Sequence, residues 1–206
     1  MFRTHRERGI LLVISGPSGV GKGTVIHELL ERTPTLKASV SVTTRQPRPG
    51  EIDGVSYHFR DHDTFMKLIG EKEVLEYDEY YHNYYGTLRT PVMERLEQGL
   101  DTVMDITVPG ALRTLEMIPE AVSVFLFPPS LAELHKRLAG RGSETEESLR
   151  HRFDKAIEEI SMSKYFDYLV VNDSVKQAGD VLSNILEAEK HRRVRLSGLE
   201  DFIANL

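Results

Sequence analysis

The chain has 206 residues, of which 28% are charged and 40% hydrophobic, with a formal net charge of −6. That length holds one α/β domain with insertions, the composition is that of a globular protein, and the acidic balance argues against general nucleic-acid binding, which needs many cationic contacts. The absence of cysteine excludes disulfides, thiolate metal ligands and cysteine nucleophiles.

Residues 1–9 carry Arg3, Arg6 and Arg8 and read as a solvated lead-in. The apolar run behind them is too short for a signal peptide or a membrane span, so a cytoplasmic location without membrane contact is expected. Ile10 to Ile14 is apolar and β-branched, as in a buried parallel strand. Gly16-Pro17-Ser18-Gly19-Val20-Gly21-Lys22-Gly23-Thr24 follows, and Val25 to Arg32 then reads as a helix with Val25, Ile26, Leu29 and Leu30 inward. A Gly-rich turn from strand to helix has the context of a P-loop. Its backbone N–H groups and the helix N-terminus suit phosphate, and Lys22 can reach the outer phosphates as a point charge. Gly23 sits where Ser or Thr commonly follows the Lys, and the hydroxyl comes one place later, at Thr24.

Lys37 to Arg45 reads as one strand, and Gln46 to Gly50 as a Pro-bounded turn. Asp53-Gly54 signals a hairpin, with Val55 to Phe59 as its half-buried strand. Asp63 to Ile69 suits a short helix, and Val74 to Tyr80 alternates, with Leu75 and Tyr77 on one face and Glu76 on the other. The α/β rhythm resumes with a helix over Val92 to Leu100, a strand over Thr102 to Ile106, a helix over Leu112 to Met117 and a strand over Ala121 to Phe127. Ser130 is placed to cap a helix over Leu131 to Leu138. A Gly-bearing link, 140–147, precedes a charged helix to Ser163; Tyr168 to Val171 is the last strand, and the final helix spans Val175 to Arg195. Strands alternating with helices imply a mostly parallel sheet.

Arg45 and Arg48, near Tyr57 and Tyr85, fit a second phosphate clamp, since Arg forks bind phosphate bidentately. Taken alone they read equally as surface arginines of a loop. Arg137, Arg141 and Arg152 flank the Gly-bearing link and suit a lid closing over a transferred phosphate, or a solvated helix pair neutralised by nearby glutamates. Asp105 closes an apolar strand as a Walker B acid does; without a P-loop in the chain it would read equally as a turn-capping Asp. The run Lys190 to Arg195 reads as cations at a negative helix end, and Leu199, Phe202, Ile203 and Leu206 as an apolar stripe docking on the core or a second subunit.

Taken together these segments resemble the guanylate kinase family. The resemblance rests on 15–24, on Ser41-Val42-Thr43-Thr44-Arg45-Gln46-Pro47-Arg48-Pro49-Gly50-Glu51, on Asn83-Tyr84-Tyr85-Gly86-Thr87, on Gly140-Arg141-Gly142 with Glu144 to Glu147, and on Val171-Asn172-Asp173. It implies a P-loop NTPase core with a mostly parallel sheet, an inserted small mixed-β monophosphate-binding domain and a helical lid. The boundaries expected are 1–38 (core), 39–87 (insertion), 88–139 (core), 140–162 (lid) and 163–206 (core and C-terminal helix). The activity implied is phosphoryl transfer from ATP to GMP with Mg²⁺, giving ADP and GDP. Residues 16–24 and Asn172 would bind ATP, and Thr24 and Asp105 would serve the metal. Arg45, Arg48, Tyr57 and Tyr85 would bind the GMP phosphate, and Ser41, Glu76 and Thr87 the guanine. Lys22, Arg45, Arg137, Arg141 and Arg152 would carry the catalytic charge. Members of this family usually have a second acid where Thr107 stands and a polar residue where Pro109 stands. Thr107 would thus face the guanine without a carboxylate, and losing one charged hydrogen bond, roughly 1.5–3 kcal/mol, would loosen guanine binding about ten- to a hundredfold. Altered monophosphate specificity and a catalytically silent binding module are the alternatives; oligomeric state stays open.

Overall fold

The computed structural model describes residues 8–80, 82–139, 146–197 and 203. In chain order the elements are β1 (Leu11–Ser15), α1 (Lys22–Arg32), β2 (Lys37–Ala38), β3 (Ser41–Thr43), β4 (His58–Phe59), α2 (His62–Gly70), β5 (Val74–Tyr80) and β6 (Asn83–Leu88). They continue with α3 (Arg89–Glu97), β7 (Thr102–Asp105), α4 (Val108–Met117), β8 (Val122–Phe127), α5 (Leu131–Ala139), α6 (Glu146–Ser161), β9 (Tyr168–Val171) and α7 (Val175–Lys190).

Five strands in the order β2-β7-β1-β8-β9 form an all-parallel sheet. Side chains along β1 alternate between its two faces, and both faces are covered. Ile10, Leu12 and Ile14 pack with Val25, Leu29 and Leu182 of α1 and α7. Leu11 and Val13 pack with Leu96, Met104 and Phe125 on the other side. Burial on both faces explains why the strand reads as a continuous apolar run. No helix among the described residues is long and apolar enough to cross a membrane.

A second, mixed sheet has the order β4-β3-β6-β5, with β3 parallel to β4 and antiparallel to β6. This sheet corrects two expectations. Lys37 to Arg45 is two strands in two sheets: Ser39 N–H still reaches Val103 O at 2.9 Å, and the chain then crosses to the second sheet at Ser41. Asp53-Gly54 makes no hairpin. Asp53 takes the Phe59 N–H at 2.7 Å and makes an isolated parallel bridge with Tyr57, Val55 is exposed, and the strand His58–Phe59 pairs in parallel with β3.

Helix ends differ from the expected bounds for local reasons. α3 stops at Glu97, because Gly99, at φ 76°, turns the chain out of the helix. α4 starts at Val108 rather than Leu112: Thr107 is its N-cap, its hydroxyl accepting the Gly110 N–H at 3.3 Å, and Pro109 lies in the first turn. α7 ends at Lys190, and Arg193–Arg195 is a separate 3₁₀ turn. The cationic run there does more than face a helix dipole. Arg192 and Arg195 both reach back to Glu189, which is 2% exposed and also receives the Tyr168 hydroxyl at 2.7 Å. Burial alone would raise the Glu189 carboxyl, but these three donors hold it below the ordinary range. Of the expected apolar stripe, only Ile203 lies among the described residues, and it is exposed; Leu199, Phe202 and Leu206 lie outside them.

Candidate active site

The P-loop spans the carboxyl end of β1 and the start of α1, where parallel α/β sheets place ligands. Gly21 is the N-cap of α1 at φ 94°, and a Cβ there would lie 2.8 Å from Asn172 Nδ2. Glycine is therefore needed twice over at this position. Val20 is fully buried and anchors the loop in the core. Lys22 lies back along the loop, its Nζ donating to Gly16 O at 2.8 Å. The N-terminus of an α-helix presents N–H groups that no carbonyl of the same helix takes, and so suits an anion held by this loop.

Four side chains brace the loop from outside. Asn172, expected to bind ATP, is 3% exposed and donates its amide to Val20 O at 2.8 Å. Arg137 donates to Val20 O at 3.2 Å and Asn172 O at 3.3 Å, and to Glu133 at 3.0 Å. Arg152 on α6 donates to Ser18 Oγ at 3.0 Å, and Glu159, about two turns further along the same face of α6, accepts the Ser18 N–H at 3.2 Å. Two of the three expected lid arginines thus stand at the P-loop rim. Arg141 lies outside the described residues.

An open cleft of about 250 Å³ separates the P-loop from the second sheet. Lys22, Asp105 and Thr107 line one wall, and Ser41, Glu76 and Tyr85 the other. Asp105 faces the first turn of α1: a Cβ on Gly23 would be 3.9 Å from its Oδ2. The surrounding protein raises the Asp105 carboxyl, and Lys22 opposes that shift. Its carboxylate and the exposed Thr24 hydroxyl are hard oxygen donors at the end of the loop.

The strand register fixes the opposite wall. Ser41 pairs with Thr87, and Thr87 with Glu76; one step along, Thr43 pairs with Tyr85, and Tyr85 with Asp78. Glu76 is 6% exposed and Thr87 1%. Thr87 Oγ1 donates to Glu76 Oε1 at 2.8 Å, which orients the carboxylate. Burial raises the Glu76 carboxyl above the ordinary range, against the Thr87 hydrogen bond and the Arg113 charge, which lower it. A bulge between Val74 and Glu76 lets Leu75 join the core while Glu76 turns to the cleft. Tyr77, expected beside Leu75, is instead partly exposed against Phe65 and Tyr84.

At the far end of this wall the Arg45 guanidinium lies 5.3 Å from the Tyr57 ring centroid, and the Tyr57 and Tyr85 rings are 6.1 Å apart. Arg45, Tyr57 and Tyr85 therefore meet as expected. Arg48 is exposed on the adjoining turn. Glu51 holds this corner together: one oxygen takes Arg45 Nη2 at 2.8 Å and the other the Arg48 N–H at 2.7 Å. The Arg45 hydrogen bond and then the Arg48 N–H pull the Glu51 carboxyl below its ordinary value.

The sequence profile of the guanylate kinase family matches residues 8–189. The chain is 49% identical, over 192 residues, to the guanylate kinase of Halalkalibacterium halodurans, covering 93% of this chain and 94% of that one. It is 46% identical to the guanylate kinase of Clostridioides difficile, with 94% of each covered. The chain belongs to the guanylate kinase family. The crystal structure of guanylate kinase from Anaplasma phagocytophilum agrees with the fold, at a TM-score of 0.77 and 35% identity over 98% of this chain and 96% of that one.

Sequence reasoning missed four features of this family member's cleft: Glu51, Glu159, Asp78 and Gly110. Glu51 had a signal, an acid three residues after Arg48 in a Pro-bounded turn. Gly110 had none. It lies in the first turn of α4, where a Cβ would be 2.7 Å from Glu76 Oε2, and only tertiary packing shows that approach.

Proposed function

We propose that this protein is a guanylate kinase that transfers the γ-phosphoryl group of ATP to GMP, giving ADP and GDP. The observation that carries this reading is the buried, oriented Glu76 carboxylate across one cleft from the P-loop Lys22. A carboxylate accepts two hydrogen bonds, which suits the N1–H and 2-amino group of guanine; adenine offers no such pair. Ser41, Thr87 and Thr107 complete the base site, with Thr87 acting through Glu76. Arg45, Arg48, Tyr57 and Tyr85 hold the GMP phosphate.

Residues 16–24 cradle the ATP phosphates, and Asn172 keeps that loop in shape. Lys22, Arg45, Arg137, Arg141 and Arg152 stabilise charge on the phosphoryl group as it passes to the GMP phosphate oxygen. No protein nucleophile is needed, because positioning and electrostatics supply the rate. Thr24 and Asp105 fit Mg²⁺, a hard cation that prefers oxygen donors and keeps several waters or phosphate oxygens. When bound, Mg²⁺ would neutralise charge on the outer phosphates. Among the described residues no group of three or more His, Cys, Asp or Glu could hold a metal, so most of its ligands would come from ATP and water.

The test is ADP release with ATP and Mg²⁺, with and without GMP. ADP formation that depends on GMP is the expected result. Absence of turnover, with ATP and GMP both still raising the melting temperature, would instead support a silent binding module.

Two further outcomes follow from Glu76. The carboxylate must be ionised to accept both guanine donors, and burial raises its pKa. GMP affinity is therefore full above the raised pKa and falls as pH drops through it, earlier than for an exposed glutamate. Titrating GMP binding against pH checks this. Fold stability from this group moves the other way: a raised folded pKa means that folding is favoured as the pH falls through it. Gly110→Ala gives a second check. Alanine raises helix propensity by about 1 kcal/mol, but its Cβ displaces Glu76. We expect unchanged or higher thermal stability with KM for GMP raised about tenfold, the loss of roughly one charged hydrogen bond.

A further inference from the structure

We propose that Asp78 binds the ribose hydroxyls of the monophosphate and so makes this cleft prefer ribonucleotides over deoxyribonucleotides. This rests on the guanylate kinase reading above and deepens it.

The argument comes from register. On β5, Glu76 and Asp78 are two residues apart, so both side chains lie on the same face of the sheet, about 7 Å from each other along the strand. Glu76 pairs across with Thr87, and Asp78 with Tyr85. The base site is at the Glu76 row, and the phosphate clamp begins with the Tyr85 side chain. A nucleoside monophosphate has its sugar between base and phosphate. Asp78 lines the cleft at the step from the one to the other.

Charge then narrows what Asp78 can bind. A carboxylate beside a phosphate repels it, so Asp78 needs uncharged donors. A bound GMP offers N1–H, the 2-amino group and the sugar hydroxyls. Glu76, buried and oriented by Thr87, takes the base donors. The hydroxyls remain. Asp105 also lines the cleft but stands on the P-loop wall, where it feels the Lys22 charge. Asp78 is preset for this role: one of its oxygens accepts the Glu79 N–H at 2.9 Å, which fixes the carboxylate's orientation. It is also exposed, so removing it does not disturb the core.

The experiment measures dissociation constants for GMP, dGMP and IMP by calorimetry, with native protein and with Asp78→Asn and Asp78→Ala. Native protein is expected to bind GMP about tenfold or more tightly than dGMP, one charged hydrogen bond being lost with the 2′-hydroxyl. Asp78→Ala should bring that ratio close to one and Asp78→Asn, which keeps a neutral acceptor, should lower it, both leaving the GMP-to-IMP ratio unchanged. A GMP-to-dGMP ratio that is already near one in native protein, or that survives in both variants, overturns the proposal. A collapse of the GMP-to-IMP ratio instead would mean that Asp78 contacts the 2-amino group, which also overturns it. Failure of native protein to bind GMP at all would contradict the guanylate kinase reading itself, and is read from the native titration alone.

Discussion

Replacing Lys22 with methionine is expected to lower kcat by about 10²- to 10³-fold, the range for removing one donor aimed at charge that develops in a transition state. Methionine keeps the length and apolar stem of lysine and removes only the ammonium. That ammonium donates to Gly16 O at 2.8 Å, and losing this hydrogen bond costs about 1 kcal/mol, so the melting temperature should fall by only a few degrees. The KM for GMP should also change little, because Lys22 stands on the P-loop wall rather than at the base row. Single-turnover kinetics with saturating ATP checks this. A kcat within threefold of native would show that the Arg137 and Arg152 cations suffice and that Lys22 is not a main source of stabilisation.

Glu76→Gln is expected to lower kcat/KM for GMP by about 10²-fold. A glutamine amide can accept from one guanine donor through its oxygen, but it turns an NH₂ toward the other. One charged hydrogen bond is lost and a donor–donor contact replaces it, together about 3 kcal/mol. The fold should tolerate the change. The Thr87 hydroxyl still has an acceptor, and a buried group no longer carries charge. Stability equal to or above native, with GMP turnover lost, would separate recognition from folding. An unchanged kcat/KM for GMP would mean that the base is read elsewhere in the cleft.

The parts of this protein that a sequence shows well are those fixed by local rules. The P-loop was legible because glycine, lysine and the flanking strand and helix each have a local physical reason. The parallel sheet was legible because strands covered on both faces are continuously apolar, as Leu11–Ser15 is. The second sheet was less so. Its strands are short, one pairs in parallel, and β3 begins where a run that looks continuous changes sheets at Ser41. The same limit applies in the cleft. Arg45, Tyr57 and Tyr85 could be gathered from their types, but Glu51, Asp78 and Gly110 owe their places to pairing and packing across elements. Thr107 shows both effects. In sequence it is a missing acid; in the fold it is the hydroxyl that starts α4 and so sets Gly110 against Glu76.

In the proposed function Glu76 is the centre of base recognition, with Thr107 in place of a second carboxylate. The most direct test is kcat/KM for GMP against AMP, CMP and UMP in the native protein, with ATP and Mg²⁺. The expected result is a preference for GMP of about 10²-fold or more, as two hydrogen bonds to one charged acceptor imply. Turnover of AMP, CMP or UMP equal to that of GMP would contradict the account, because a buried carboxylate cannot then be what selects the substrate.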